Sequence, residues 1–157
     1  MTISPLARRG LILAAVILIA DQVSKYLLLQ FLEQKQAMVS GVEVTSFFNL
    51  VLVWNRGVSF GLFNQSDPVM PYLLMALAAV LVTLVGRWLL KAETRLEAWA
   101  FGLIIGGAIG NVIDRIRFGA VVDFLDFHAF GQHWPAFNVA DSAIVIGACI
   151  ILYLWGL

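Results

Sequence analysis

The sequence predicts an all-α membrane protein with four transmembrane helices and a small extracytoplasmic β element between helices one and two. Three observations predict it. The 157 residues are 61% hydrophobic and only 13% charged, where a soluble domain is about half apolar and about a quarter charged. Apolar runs of membrane-spanning length recur at 11–32, 69–90, 97–116 and 138–157. Arg8, Arg9, Arg87, Lys91 and Arg95 all fall on one side of that layout, the positive-inside pattern of cytoplasmic segments. Ten basic residues balance ten acidic ones, so nothing points to nucleic acid. Residues 1–157 read as a single integral membrane domain without repeats or low-complexity segments.

The first segment follows Arg8 and Arg9. Arginines before an apolar stretch also begin cleavable signal peptides, but here the apolar core has no small-x-small site after it and is long enough to span. Asp21 and Lys25 stand four apart on one face, with the carboxylate first, the better order for a helical ion pair. Two readings stand: a structural pair with Lys25 reaching outward along the helix, or a pair beside the functional site.

Residues 40–63 form the β element. Val42 to Trp54 is rich in β-branched and aromatic residues, Asn55-Arg56-Gly57 is a turn signal, and Val58 to Phe63 resumes apolar, which predicts a hairpin turning at 55–57. Asn55 and Gly57 serve that turn or present polar groups to a ligand. Ser66-Asp67-Pro68 reads as the start of the second helix. The third carries Gly102, Gly106 and Gly110 every four residues, a stripe that lets another helix approach closely. It ends through Asn111, Asp114 and Arg115. A long loop, 118–135, then leads to the fourth helix, where Asn138 and Asp141 occupy the N-cap and N3 positions of a capping box. Cys149 sits in an apolar run and reads as a packing or lipid-facing residue.

Ionisable groups are costly at membrane depth and mark working sites. Here they gather between the third and fourth segments. Asp123 follows two valines, and such apolar surroundings favour a held proton. The helix dipole at Asp141 favours the ionised form. Carboxyls in opposed environments suit an acid–base pair sharing one proton. The plain alternative is a loop residue and a helix cap. Asp123, Asp126, His128, His133 and Asp141 also supply enough ligands for a metal, but no H-E-x-x-H occurs and the histidines lack helical spacing. No metal or cofactor is expected. A transporter would need ionisable groups along a through-path, whereas these cluster on one side. A non-enzymatic assembly factor could use the glycine stripe and the β element instead.

Five blocks then fall in order: DQVSK at Asp21–Lys25, WNRGVSFG at Trp54–Gly61, GGAIGNVIDR at Gly106–Arg115, VVDF at Val121–Phe124 and FNVADS at Phe137–Ser142. With them the chain resembles the bacterial lipoprotein signal peptidases, the type II signal peptidases, over essentially its whole length. The turn block reads NRGVSFG where many members carry NxGAAFS. The resemblance implies an aspartic endopeptidase of the bacterial inner membrane that removes the signal peptide from diacylglyceryl-modified prolipoproteins, before the lipidated cysteine. It implies Asp123 and Asp141 as the catalytic pair. Asn55, Gly57, Gly107, Asn111, Arg115 and Asn138 fall at substrate-binding positions, and Asp21, Lys25 and Asp114 at supporting ones. The expected partners are the lipidated substrate and membrane lipid, and the expected state is a monomer.

Overall fold

The computed structural model describes residues 3–57 and 69–156. Helix α1 spans Pro5–Gln34, α2 Met70–Leu90, α3 Arg95–Phe118 and α4 Val139–Trp155. Strands β1 (Val42–Thr45), β2 (Phe48–Asn55), β3 (Val121–Ala129) and β4 (Gln132–His133) form an antiparallel sheet in that order. The helices are apolar on faces that meet no other part of the chain, as bilayer-facing helices are. Of these, α1, α2 and α3 are long and apolar enough to cross a membrane, whereas α4 is a shorter apolar helix of 17 residues.

Local chemistry fixes the helix ends. Ser4 caps α1 by accepting from Ala7 N, with Pro5 in the first turn. Thr94 and Glu97 form a reciprocal capping box that starts α3, a signal the apolar pattern alone does not reveal. Gly119 ends α3 in the left-handed conformation (φ 69°), where a side chain would be strained.

α3 is the buried centre of the bundle. Its glycine stripe faces α1: a Cβ on Gly102 would strike the Gly10 carbonyl, one on Gly106 the Ala14 carbonyl, and one on Gly110 the Asp21 carboxylate. Its other face meets α4, where Gly107 abuts the Ala140 carbonyl and Gly147 of α4 abuts the Ala100 carbonyl. Gly107 is therefore seated in helix packing, not on a surface open to a ligand.

The sheet differs from expectation in two ways. The β1–β2 turn lies at Ser46-Phe47, inside the stretch that reads as one strand, and β2 ends at Asn55, where the expected turn at 55–57 begins. The predicted return at Val58–Phe63 and the helix start at Ser66-Asp67-Pro68 lie outside the described residues. Second, much of the expected loop at 118–135 is strand. β3 pairs with β2 over Phe48↔Phe127 to Asn55↔Val121, which carries Asp123 into the sheet. A nearly continuous apolar run in VVDFLDF is the mark of a strand buried on both faces, which alternation does not detect.

The glycine contacts yield a test. Gly106→Leu should lower the melting temperature of the purified protein in detergent, with a cost of at least about 1–3 kcal/mol from overpacking. An unchanged melting temperature would show that α1 and α3 do not meet along this stripe.

Candidate active site

Asp123 is almost fully buried on β3. Each carboxylate oxygen accepts from a neutral amide: Asn55 Nδ2 donates to Oδ2 at 2.9 Å, and Asn138 Nδ2 donates to Oδ1 at 2.8 Å. Burial, and next the charge of Asp141, push its pKa up to about 7, against the pull of both amides.

Asp141 is the N3 residue of α4 and is only partly buried. Its Oδ2 accepts from Asn138 N at 3.2 Å and its Oδ1 from Asn111 Nδ2 at 2.8 Å. In return Asn138 Oδ1 accepts from Asp141 N at 2.9 Å, completing the capping box. Asn138 thus binds both carboxylates, one through its side-chain amide and one through its backbone N–H. The capping reading of Asp141 and the paired reading of Asp123 and Asp141 are compatible, because the cap residue joins the pair.

Below this pair lies a buried ion cluster. Lys25 Nζ stands 2.8 Å from Asp21 Oδ2 and 2.7 Å from Asp114 Oδ2, and all three side chains are buried. Lys25 therefore points inward and does not reach along the helix to water. It also donates to Asn111 Oδ1 at 3.3 Å. Gln22 Nε2 donates to Asp21, Asp114 and the Gly110 carbonyl, a role its sequence position beside Asp21 does not signal.

The remaining expected residues lie around this network. Gly57 N donates to Asn55 Oδ1 at 3.1 Å, which holds that amide toward Asp123. Arg115 donates from one terminal nitrogen to the Asn111 carbonyl at 3.4 Å, while its buried Nε has no hydrogen-bond partner among the described residues. A groove of about 420 Å³ opens at Asp141, between Trp134–Phe137 and the α4 residues Ser142, Val145 and Ile146. Its lining is mostly apolar. Asp126 belongs elsewhere: it is bonded to Asn49 and His133 and is not joined to the Asp123 site. No group of three metal-binding side chains occurs among the described residues.

Apolar helices with two amide-bound carboxylates at one end define a multi-pass membrane protein equipped for acid–base chemistry. The sequence matches the family described as signal peptidase (SPase) II over residues 13–156. The lipoprotein signal peptidase of Nitrobacter hamburgensis is 47% identical over 150 residues, covering 93% of this chain and 90% of its own. That of Burkholderia multivorans is 46% identical over 143 residues, covering 90% and 83%. A solved bacterial membrane enzyme shares the fold with a TM-score of 0.78 at 27% identity, over 94% of this chain and 87% of its own. The chain belongs to the signal peptidase II family, and it is a peptidase.

The elevated proton affinity of Asp123 predicts a pH profile. Below about pH 7 this carboxyl holds its proton, and above it ionises beside Asp141. If catalysis requires one shared proton, kcat/KM should fall by about tenfold per pH unit on the alkaline side. The linked effect on folding has the same sign. The folded pKa lies above the unfolded value, so this group's contribution to stability is complete below about pH 4 and is lost as pH rises through about 7. A kcat/KM that stays flat from about pH 6 to about pH 9 would contradict the shared proton.

Proposed function

We propose that the protein is an intramembrane aspartic endopeptidase that removes signal peptides from diacylglyceryl-modified lipoprotein precursors, cutting before the lipidated cysteine. The observation that carries the aspartic reading is Asn138, which hydrogen-bonds both Asp123 and Asp141. The names of the relatives support the substrate class.

In this mechanism Asp123 enters protonated and Asp141 ionised, in keeping with its place at a helix N-terminus. Asp141 takes a proton from the attacking water as its oxygen bonds to the scissile carbonyl carbon. Asp123 gives its proton to the carbonyl oxygen. The tetrahedral species then collapses: the C–N bond breaks, Asp141 returns its proton to the leaving amine, and Asp123 recovers one from a hydroxyl. One water is consumed, and both carboxyls end as they began. Asn55, Asn111 and Asn138 hold the carboxyls in place, and Arg115 stands near enough to orient the substrate backbone. Asp21, Lys25 and Asp114 support the pair from below.

The signal peptide and its lipid partition into bilayer rather than water, so the substrate enters sideways from the membrane. We place α4 as a fourth span, both termini in the cytoplasm and the site at the outer face of the bacterial inner membrane. The basic residues at Arg8, Arg9, Arg87, Lys91 and Arg95 support that orientation, and a monomer holds every residue assigned to the site.

The test is cleavage of a lipidated precursor by purified protein. Asp123→Asn and Asp141→Asn should each reduce turnover by at least about a thousandfold. Glu43→Gln, on an exposed strand away from the pair, should retain it. Unlipidated precursor should be cut poorly, chelators should have no effect, and Gln132→Cys in intact cells should react with an impermeant thiol reagent from outside. Full activity in either asparagine variant would eliminate the aspartic mechanism. Inhibition by chelator that zinc reverses would replace it with a metal site, and labelling only from the cytoplasm would invert the topology.

A further inference from the structure

Asp126 is a second nearly buried carboxylate on β3, and the mechanism does not use it. Both of its oxygens face His133 Nδ1, at 2.8 and 3.0 Å, and Asn49 Nδ2 donates to Oδ2 at 2.9 Å. Burial alone would raise its pKa. The hydrogen bonds from His133 and Asn49 and the histidine charges outweigh that, so Asp126 stays ionised as a fixed acceptor. The His128 ring stacks on His133 with centroids 4.8 Å apart.

This cluster fastens a weak element. β4 has only two residues, Gln132 and His133, and follows a tight turn with Phe130 and Gly131 both at positive φ. His133 directly precedes Trp134-Pro135-Ala136-Phe137, the segment that walls the groove at Asp141. Backbone bonds tie that wall to β3, from Trp134 N to the Phe127 carbonyl and by mutual bonds between Phe137 and Leu125. Its far end is Asn138, the residue that binds both catalytic carboxylates. The wall is therefore held at one end by the site and at the other by Asp126 and His133.

We propose that the Asp126–His133 pair is a positioning device that sets the shape of the groove wall, and so the affinity for the apolar signal-peptide residues beside the cut bond. This rests on the peptidase reading above. The pair touches neither Asp123 nor Asp141, so it acts on binding and leaves the chemical step alone.

The experiment measures KM and kcat on a lipidated precursor for the wild type, His133→Ala, Asp126→Ala, the double alanine variant and His133→Asn. The Asn side chain can place an N–H near the position of Nδ1. Each single alanine should raise KM by about three- to tenfold, with kcat per folded molecule little changed. The double variant should be no worse than either single one, and His133→Asn should recover most of the loss. Misfolding of part of the sample lowers apparent kcat but not KM, so the comparison survives it. Unchanged KM in the alanine variants, or a loss confined to kcat, would overturn the proposal while leaving the peptidase reading intact. A wild-type protein that fails to cut the precursor would overturn both.

Discussion

The arrangement depends on one buried ammonium. Lys25 lies between the carboxylates of Asp21 and Asp114, out of contact with water. Each carboxylate also accepts a backbone N–H from the element that carries one of the two proposed catalytic aspartates. Asp21 Oδ1 takes Ala140 N, one residue before Asp141, at 3.0 Å. Asp114 Oδ2 takes Val122 N, one residue before Asp123, at 3.1 Å. The cation thus holds together two acceptors that fix β3 and the first turn of α4. Asn111 continues the link, since its Oδ1 accepts from Lys25 and Asn138 while its Nδ2 donates to Asp141. A buried ion pair is weak evidence for stability, because desolvation offsets much of its attraction. Here its value lies in registry: four elements, α1, α3, β3 and α4, are brought to one geometry. Removing the ammonium would leave two buried carboxylates without a counter-charge, and breaking a buried pair in this way typically costs about 3–5 kcal/mol.

Short side chains can make these bonds only if the helices approach closely. Aspartate has little reach, so the α1 and α3 backbones must nearly touch, and the stripe at Gly102, Gly106 and Gly110 permits it. Gly110 shows the link most directly, because a methyl group there would occupy the space of the Asp21 carboxylate. On the opposite side, Gly107 lets α4 settle against α3 at Ala140, whose N–H Asp21 holds. Apolar packing and the polar network therefore impose one requirement on the glycines. The apolar groove at Asp141 adjoins this network, so a hydrophobic segment lying in it would meet the carboxyl.

Much of this was legible in the sequence, and the misses share a cause. Hydropathy and caps located the four helices to within a few residues, except that α1 begins well before the apolar run, because Ser4 and Pro5 start it among polar residues. Asn138 and Asp141 could be assigned from cap chemistry, since a capping box is local. The sequence puts Asp123 close to Asp141 but in a loop, because β3 exists only through pairing with β2, some 70 positions away. The turn at Ser46-Phe47 divides a stretch that reads as one strand, because its β-branched and aromatic residues run on through both arms. The spacing of Asp21 and Lys25 marks them as a pair, but the inward direction of Lys25 depends on Asp114, nearly 90 positions later. Gln22 and the Asn49–Asp126 bond escape for this reason too, since each joins segments that no local pattern connects; Asp126 and His133 are only seven positions apart, but the sequence offers them as metal ligands and not as a hydrogen-bonded pair.

In the proposed mechanism Asp123 and Asp141 work as one unit. The most direct measurement is a double-mutant cycle on single-turnover cleavage of a lipidated precursor, comparing Asp123→Asn, Asp141→Asn and the double variant, with folding checked for each. Groups that share one proton are strongly non-additive. The double variant should be scarcely slower than either single variant. Losses that multiply in the double variant would show two independent contributions and contradict the shared-proton dyad.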